Sequence, residues 1–281
     1  MEKLSQKSIK KGFNFKSFFK EWGLIFFILI IIAIASAKRP AFLSGSNLIN
    51  ILRSYSTIGI AALGMAYTVI AGGMDLSISS TVSLSAVLTM LVINATTVDR
   101  VSPDYASFVV LLIGIVVGAT VGCISGGILA AVNGRMGESF IITYAIQIIV
   151  AAVANAVVNG QFQSASYKSG MFKMLGSGVV PVLFFLIIAV IMQFILVKTA
   201  FGRNLYFLGA NMEAAKMAGI RTRRIRFAAH VICGICAGIA GVLVVARVNS
   251  ASIQQGLNYE MDAMACVAVG GTSLNGGSGS I

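Results

Sequence analysis

The sequence predicts an all-α protein, a polytopic bundle of transmembrane helices with about eight membrane segments and a cytoplasmic N-terminus. Composition is the first observation behind this prediction: of 281 residues, 57% are hydrophobic and 11% are charged. Mean hydropathy is +0.91. Soluble domains carry about 25% charged residues, so most of this chain must lie in lipid. The second observation is that basic residues cluster beside the apolar stretches, as they do in membrane proteins.

Apolar segments follow one another along the chain. They lie at residues 22–37, 54–73, 78–95, 105–132, 139–159, 179–197, 227–247 and 259–270. Each is predicted to be a helix, because lipid cannot satisfy the backbone of an isolated strand and the segments are too long and too uniformly apolar for a barrel. The last segment is short and merges into a glycine-rich stretch. We therefore assign residues 22–281 to one membrane domain and residues 1–21 to a basic cytoplasmic tail.

The basic residues predict the orientation of the bundle. Six lysines precede Trp22, and seven Lys or Arg residues lie within residues 198–226. Because cytoplasmic loops carry an excess of positive charge, both regions and Arg135 are predicted to face the cytoplasm, whereas residues 99–104 and 160–178 face outward. This distribution accounts for the net charge of +12 without a nucleic-acid partner.

The N-terminal region also has features of a secretory signal peptide, because a basic stretch and an apolar run end at Ala35-Ser36-Ala37. The basic stretch is long for a signal peptide, however, and the rest of the chain is polytopic. A retained first span is therefore the favoured interpretation.

Residues suited to covalent chemistry are scarce. His230 is the only histidine, and no metal-ligating cluster surrounds it in the sequence. The pattern G-x-x-x-x-G-K-[ST], which cradles nucleotide phosphates, does not occur. We therefore expect no cofactor in this chain and no enzyme activity. The four cysteines fall within apolar stretches and are interpreted as small buried packing residues: Cys123, Cys233, Cys236 and Cys266.

Glycine recurs at close spacing within two of the apolar segments. The residues are Gly114, Gly118, Gly122 and Gly126 in one segment, and Gly234, Gly238 and Gly241 in the other. Small residues at such spacing let helix backbones approach closely where lipid provides no hydrophobic driving force. Tight helix packing is predicted, in preference to a gating role.

A polar interruption divides the apolar stretch between residues 55 and 95. There, Gly72 and Gly73 are followed by Asp75 and Ser77. An ionised carboxylate at the centre of a membrane helix costs about 3 kcal/mol, so Asp75 either caps the start of the third segment or faces a polar cavity. The first interpretation is a helix-capping turn, and the second is a broken helix beside a translocation path. The residue pattern leaves both open.

A second interruption lies at residues 268–280, where Gly270, Gly271 and Ser273 follow an apolar helix. This stretch lacks the Lys-Ser/Thr ending of a phosphate-binding loop, so it is interpreted as an unwound or re-entrant segment. Upstream, Glu260 and Asp262 are two residues apart, which places them on different faces of a helix. Helix capping fits that spacing better than acid–base catalysis.

The basic segment between the sixth and seventh apolar segments carries the signals of a short helix. Asn211 is a good N-cap, Glu213 places a negative charge in the first turn, and Gly219 suits the C′ position. About two helical turns are too short to be stable alone. One interpretation is a loop lying on anionic headgroups through Arg221, Arg223, Arg224 and Arg226. A docking element for a cytosolic partner explains both the capped helix and the arginines.

Together these segments resemble the permease subunits of bacterial ABC importers for monosaccharides of the ribose/xylose/galactose type. The matching stretches are residues 72–77; residues 199–203 with 209–211, 213–215 and 218–220; and residues 259–262 with 270–274, 276–277 and 279–280. They occur in the family's order, and the resemblance runs from about residue 40 to the end of the chain.

The resemblance implies a coupling helix around residues 211–220, seated in a separate cytosolic ABC ATPase that binds the ATP. It also implies an extracytoplasmic sugar-binding protein, a second permease chain, and a place among the lipids of the bacterial inner membrane. The coupling residues by resemblance are Gly202, Arg203, Gly209, Asn211, Glu213, Ala214, Ala215, Gly219 and Ile220. Those of the broken helix and translocation path are Gly72, Gly73, Asp75, Ser77, Gly270, Gly271 and Ser273.

Two departures from the family pattern accompany the resemblance. Family members usually have a proline-containing helix start where this chain has residues 136–144, and they continue for several further helices beyond the position of Ile281. From the second departure we expect the chain to lack C-terminal helices of the family.

Two other classes of protein are less well supported. An ion-coupled secondary transporter is the main alternative, but it needs ionisable residues in several spans, and Asp75 stands nearly alone. A membrane-embedded enzyme needs a cluster such as histidine with carboxylates, and His230 has no such neighbours in the sequence.

Overall fold

The computed structural model describes residues 15–132, 134 and 136–281. Side chains are described for all of these residues except residues 15–22, 24 and 169. Part of the predicted basic tail, residues 1–14, and the predicted cytoplasmic Arg135 lie outside the described residues. The chain divides into two compact units, Met1–Ile51 and Leu52–Ile281.

In the first unit, an apolar helix is followed by a tight turn. Helix α1 (Phe15–Lys38) precedes a short 3-10 helix (Pro40–Leu43), and α2 begins at Gly45. The turn is closed by Asn47, whose Nδ2 donates to the Phe42 carbonyl at 2.7 Å.

The second unit is a helical bundle. It contains the remainder of α2 (Gly45–Ile70) together with α3 (Ile78–Thr96), α4 (Asp104–Val132), α5 (Met136–Val158), α6 (Met171–Leu175), α7 (Val180–Lys198), α8 (Ala200–Ala210), α9 (Met212–Met217), α10 (Thr222–Val248) and α11 (Tyr259–Val269). Among the described residues, six helices are long and apolar enough to cross a membrane: α2, α3, α4, α5, α7 and α10. They coincide with six of the predicted segments, so the prediction of an all-α polytopic membrane protein is confirmed.

Four two-residue strands join the loops at one side of the bundle. They are β1 (Val101–Ser102), β2 (Gln163–Ser164), β3 (Ser169–Gly170) and β4 (Ser250–Ala251). β1 pairs in parallel with β3, and β2 pairs antiparallel with β4. Tyr167 adds a side-chain hydrogen bond from its hydroxyl to Asn249 Oδ1 at 2.8 Å. The two loops predicted to share one side of the membrane therefore do lie together.

The last predicted segment, residues 259–270, does not form a membrane-spanning helix. Its helix α11 has 11 residues, about 16 Å at 1.5 Å per residue, which is shorter than a hydrocarbon core of about 30 Å. Between β4 and α11 the chain is non-helical and lies along α3, where the Gly256 amide donates to Ser83 Oγ at 2.9 Å. This part of the chain runs beside α3 as a turn-rich stretch followed by one short helix.

Glycine packing joins α4 to α10. A Cβ at Gly118 would meet the backbone carbonyl of Gly234, and a Cβ at Gly234 would meet the carbonyl of Gly118. Gly114 and Gly238 face each other in the same way along these helices. On another face of α10, Gly241 lies against α3, where an added Cβ would be 2.6 Å from the Val82 carbonyl oxygen. The predicted tight packing is confirmed.

The cysteines only partly match their prediction. Cys233 and Cys236 are buried in α10, as expected for packing residues, whereas Cys123 and Cys266 are exposed. Burial was wrongly predicted for these two because a position in an apolar helix does not reveal whether the residue faces the bundle or the surrounding lipid.

Replacing Gly118 by alanine is expected to lower the free energy of unfolding by about 1–3 kcal/mol, because the methyl group forces α4 and α10 apart. Gly127→Ala is the matched control on the same helix, since an added Cβ there has nothing within 4 Å. Alanine favours a helix over glycine by about 1 kcal/mol, so the control should not be destabilised. The thermal midpoint of the purified protein in detergent checks both, and an unchanged midpoint for Gly118→Ala would contradict close packing.

Candidate functional site

The chain between α2 and α3 is a buried, non-helical loop of residues 71–77. At its start, Gly72 adopts a φ of 77°, a left-handed conformation that glycine tolerates best. The Gly73 amide then donates back to the Thr68 carbonyl at 2.9 Å, which ends α2. The predicted interruption at Gly72 and Gly73 is therefore a true break between two membrane helices.

Helix α5 supplies hydrogen-bond partners for this loop. Ser139 Oγ accepts from the Met74 amide at 3.1 Å and donates to the Met74 carbonyl at 2.6 Å. One turn further, Thr143 Oγ1 accepts from the Leu76 amide at 3.0 Å. Irregular backbone inside a membrane bundle is stable only when the protein satisfies it, and these two hydroxyls do so for Met74 and for the Leu76 amide.

Ser139 and Thr143 are not among the predicted site residues. Their signal was present, because hydroxyls four residues apart share one face of a helix. Nothing in the sequence of α5 itself, however, indicates which distant backbone those hydroxyls contact.

Asp75 closes the turn that leads into α3. Its Oδ1 accepts from the Ser77 amide at 3.0 Å and from Ser77 Oγ at 2.5 Å, and the side chain is 1% exposed. Asp75 thus bonds to Ser77, the N-cap residue of α3, whose own side chain makes no cap hydrogen bond, and the same residues form the predicted break between helices. Whether Asp75 faces a translocation path stays a prediction.

Glycines from three distant segments meet at the end of α2, in a cluster that we call the glycine junction: Gly72, Gly209, Gly276 and Gly277. The Gly277 amide donates to the Ile70 carbonyl at 2.9 Å. A Cβ at Gly209 would meet that same carbonyl, and a Cβ at Gly276 would lie 2.9 Å from the Gly72 Cα. Only residues without side chains permit backbones to approach this closely.

The glycine-rich stretch near residue 280 reaches the junction through a compact turn. Gly270 ends α11, Gly271 follows with a φ of 87°, and the Ser273 amide donates to the Ser278 carbonyl at 3.0 Å. Burial raises the pKa of the Tyr206 hydroxyl, which stays protonated and donates to the Gly279 carbonyl at 2.7 Å. The predicted residues Gly270, Gly271 and Ser273 therefore shape the turn, while Gly276 and Gly277 make the contacts.

Beside the junction, the predicted short helix is present as α9. Asn211 Oδ1 accepts from the Glu213 and Ala214 amides, both at 3.0 Å. At the other end Gly219 has a φ of 78°, and the Ile220 amide donates to the Ala215 carbonyl at 3.0 Å. This is the Schellman arrangement that closes helix C-termini, so both predicted caps are confirmed.

A second helix, α8, precedes α9 and was not predicted. It follows α7 through a tight turn in which Thr199 Oγ1 accepts from the Gly202 amide at 3.2 Å. A Cβ at Gly202 would meet the Leu196 carbonyl, so the turn requires glycine there, while the predicted coupling residue Arg203 is exposed. α8 was missed although Leu205 and Leu208 are spaced as on one face of a helix and are buried.

The exposed face of α9 is formed by Glu213, Ala214 and Met217. Met217 is 91% exposed, whereas Ala215 is 3% exposed and faces the bundle. Glu213 and Lys216 form an ion pair at 3.1 Å on the surface of the helix. Ala215 thus packs α9 on the bundle, whereas Ala214 and Met217 are exposed.

The arginines after α9 do not share one environment. Arg221, Arg223 and Arg224 are exposed, but Arg226 is 6% exposed and its Nη2 lies 3.5 Å from the Met212 sulfur. The interpretation of a headgroup-binding cluster therefore excludes Arg226, because burial inside the bundle removes it from the surface.

A cavity of about 360 Å³ joins these elements. Its lining includes Gly72, Gly209, Asn211, Met212, Glu213 and Arg226. The loop 71–77, the α8–α9 pair and the start of α10 thus surround one space at a single end of the bundle.

These features define a class: a polytopic helical membrane protein with a broken helix and a short capped helix at the same end. The chain belongs to the family described as branched-chain amino acid transport system / permease component, which matches residues 47–280. It is a multi-pass membrane protein, as the sequence predicted.

Several relatives are sugar import permeases. The chain is 31% identical to the ribose import permease protein of Haemophilus influenzae Rd, over 98% of this chain and 84% of the relative. It is 33% identical to the D-allose transport system permease protein of Escherichia coli K12, over 99% and 83%. It is also 33% identical to the galactose/methyl galactoside import permease protein of E. coli K12, over 95% and 83%. No solved structure gives a significant match.

Substituting Asn211 by alanine is expected to destabilise α9 by about 1 kcal/mol, because two amides lose their cap acceptor. Hydrogen exchange at the Glu213 and Ala214 amides should accelerate by roughly fivefold, the rate equivalent of that energy. Asn211→Asp retains an acceptor and serves as the control. Equal exchange in Asn211→Ala and the wild type would show that the cap does not stabilise the helix.

Proposed function

We propose that this chain is the membrane translocation subunit of an ABC importer for a monosaccharide or a similar small polar solute. Transport is driven by ATP hydrolysis in a separate subunit. Similarity over nearly the whole chain to permeases whose names specify ribose, allose and galactose carries the proposal. It also favours a sugar over the branched-chain amino acids of the family description.

The proposed docking site for the cytosolic ABC ATPase is α9 with the turn before it. Six of the nine coupling residues inferred from the sequence lie in α9 or in the turns that flank it: Asn211, Glu213, Ala214, Ala215, Gly219 and Ile220. Met217 adds an apolar side chain that is 91% exposed. Large, fully exposed apolar residues commonly act as anchors once a partner surrounds them. The ATPase would bind ATP, so this chain needs no cofactor and has no enzyme activity of its own.

The proposed orientation places the N-terminus, residues 1–21 and residues 198–226 in the cytoplasm. The concentration of Lys and Arg in these regions supports it. The strand-paired loops then face outward and offer a surface to an extracytoplasmic sugar-binding protein. A second permease chain completes the transporter within the inner membrane, and residues 22–281 form the membrane domain.

The loop 71–77 and the turn at Gly270, Gly271 and Ser273 are the proposed moving parts beside the translocation path. Both are non-helical. Each belongs to a stretch whose backbone contacts the end of α2 or α8 at the glycine junction. Segments of this kind change conformation at lower cost than the interior of a helix, because fewer regular hydrogen bonds must break.

Reconstitution tests the function directly. The chain is placed in proteoliposomes with a candidate ABC ATPase and binding protein, and ATP-dependent uptake of labelled ribose, allose, galactose and leucine is measured. We expect uptake of at least one sugar and none of leucine. Uptake that persists without ATP but follows an imposed ion gradient would instead support an ion-coupled secondary transporter.

Met217→Ala is expected to weaken ATPase association by about tenfold, the equivalent of about 1.4 kcal/mol lost from a buried anchor. Met174→Ala is the matched control, since Met174 is 64% exposed but lies in α6 beside the strand-paired loops. Co-purification and titration of the detergent-solubilised chain with the ATPase provide the measurement. Unchanged affinity for Met217→Ala would exclude this face of α9 as the docking surface.

A further inference from the structure

Another polar cavity, of about 350 Å³, lies far from the glycine junction. Arg247 in the last turn of α10 lines it, whereas Arg226 near the start of the same helix lines the cavity at the junction. The helix between these two residues is about 31 Å long at 1.5 Å per residue. Because β4 follows α10 directly, this cavity is at the end of the bundle that carries the strand-paired loops.

Most of the lining of this cavity, which we call the outer cavity, is able to form hydrogen bonds. Six of its eight lining residues have polar side chains, and only Ile58 and Val244 are aliphatic. The polar residues come from α2, the end of α10, the turn-rich stretch and α11: Ser54, Tyr55, Arg247, Gln255, Tyr259 and Asp262. Ligand pockets have volumes of about 300–1,000 Å³, so the outer cavity suits a small solute.

Two hydrogen bonds join α2 to the opposite wall of the outer cavity. Arg247 Nη1 donates to Ser54 Oγ at 2.9 Å, and the Tyr259 hydroxyl lies 3.1 Å from Thr57 Oγ1. Thr57 gives its only hydroxyl proton to the Ser54 carbonyl at 3.0 Å. Tyr259 is therefore the donor to Thr57, and its phenolic oxygen remains able to accept a hydrogen bond.

Other polar groups of the lining lack protein partners. Arg247 Nε is buried and has no hydrogen-bond partner among the described residues. Within the same described part of the chain, the side chains of Gln255 and Asp262 form no hydrogen bond or ion pair. A buried donor without a partner lowers stability, so a ligand that supplies acceptors would be favoured here.

The unpaired groups indicate the chemical class of the ligand. Arg247 offers donors, Asp262 offers acceptors, and Gln255 offers both. Each hydroxyl of a sugar both donates and accepts, so neighbouring hydroxyls complement such a mixed set. One positive and one negative side chain select no net charge, which suits a neutral solute. A zwitterionic amino acid would also meet one group of each sign, so leucine is the competing ligand in the test.

From these observations we propose that the outer cavity binds a monosaccharide as it enters the transporter, with Arg247, Gln255, Tyr259 and Asp262 as its hydrogen-bonding groups. The proposal rests on the proposed function for the solute and for the outward direction of the strand-paired loops. Binding itself is a property of this chain and is measurable without the ATPase. A solute in transit must leave again, so its affinity is expected to be weak.

Protection of an introduced thiol tests whether a sugar occupies the outer cavity. Ile58→Cys is made in a chain that also carries Cys123→Ser and Cys266→Ser, so that the remaining native cysteines are buried. Ribose, allose or galactose at about twice its Kd should slow labelling at position 58 by a methanethiosulfonate reagent about threefold, the factor 1 + [L]/Kd. Leucine should give no protection.

Val98→Cys in the same background is the control, because Val98 is 70% exposed and does not line the outer cavity. Its labelling rate should not depend on sugar. Equal labelling at position 58 with and without each of the three sugars would overturn the proposal. Protection by leucine alone would overturn it as well, since the site would then suit a zwitterion.

Binding by the chain with its native cysteines is measured separately, so that the reactivity of one introduced thiol does not decide the matter. In saturation-transfer NMR on lipid nanodiscs, Asp262→Asn should weaken sugar binding by about tenfold, as expected for a lost hydrogen bond to a charged group. Asp104→Asn is the matched control, since Asp104 is also an exposed acid in the first turn of a helix. Equal affinity in Asp262→Asn and the wild type would contradict the assigned contact.

In the assembled transporter, Gln255→Leu should change the ratio of ribose to galactose uptake while ATP hydrolysis is retained, because a side chain that touches the sugar discriminates between hydroxyl patterns. A merely structural role would lower both uptake rates in the same proportion and would reject the site. If sugars protect position 58 but the wild type imports none, the proposed function fails and the binding site stands. Sugar import without protection or NMR binding would remove the site alone.

Discussion

Backbone polar groups that cannot reach water need partners inside the protein, and this requirement governs the most irregular part of the molecule. Between α2 and α3 the chain leaves helical geometry, so its amides and carbonyls require partners from elsewhere. Ser139 and Thr143 of α5 provide them for Met74 and Leu76, and the Gly277 amide provides one for Ile70. Helix α5 and the glycine-rich stretch both contribute to meeting this requirement.

Glycine serves this structure in two distinct ways. Along α4 and α10, Gly118 and Gly234 allow two long helices to pack backbone to backbone, which forms a firm scaffold. At the glycine junction, Gly209 and Gly276 allow non-helical segments to meet the end of α2. The first arrangement resists movement because it is repeated over several turns, whereas the second joins short segments at one point. The proposed moving parts therefore lie against a rigid framework.

Charged residues are few in the bundle, and the buried residues Asp75 and Arg226 contact neighbouring parts of the protein. Asp75 accepts hydrogen bonds from Ser77 in the turn before α3, and Arg226 contacts Met212 of α9. A polytopic protein with little charge can bind a neutral sugar without an ionic site, since polar solutes are held by hydroxyls, amides and backbone groups. The ion-coupled alternative has correspondingly little support in this arrangement.

Much of this protein follows from the sequence alone. Hydropathy identifies six of the membrane helices, because the requirement for about 20 apolar residues is local. The caps of α9 at Asn211 and Gly219 are also local, since each involves backbone within a few residues. The predicted eighth segment shows the limit: residues 259–270 were expected to span the membrane, but the structure has an 11-residue helix there, after a turn-rich stretch that lies beside α3.

The tertiary structure alone decided which distant segments meet. No sequence period indicates that Ser139 bonds to Met74, that Gly276 packs on Gly72, or that Arg226 is buried beside Met212 while its neighbours are exposed. Each of these contacts depends on the rotation and depth of whole helices, which the packing of glycine faces sets. The sequence by itself therefore determined the membrane class, the breaks and the caps; the packed bundle decided how those breaks and caps are connected.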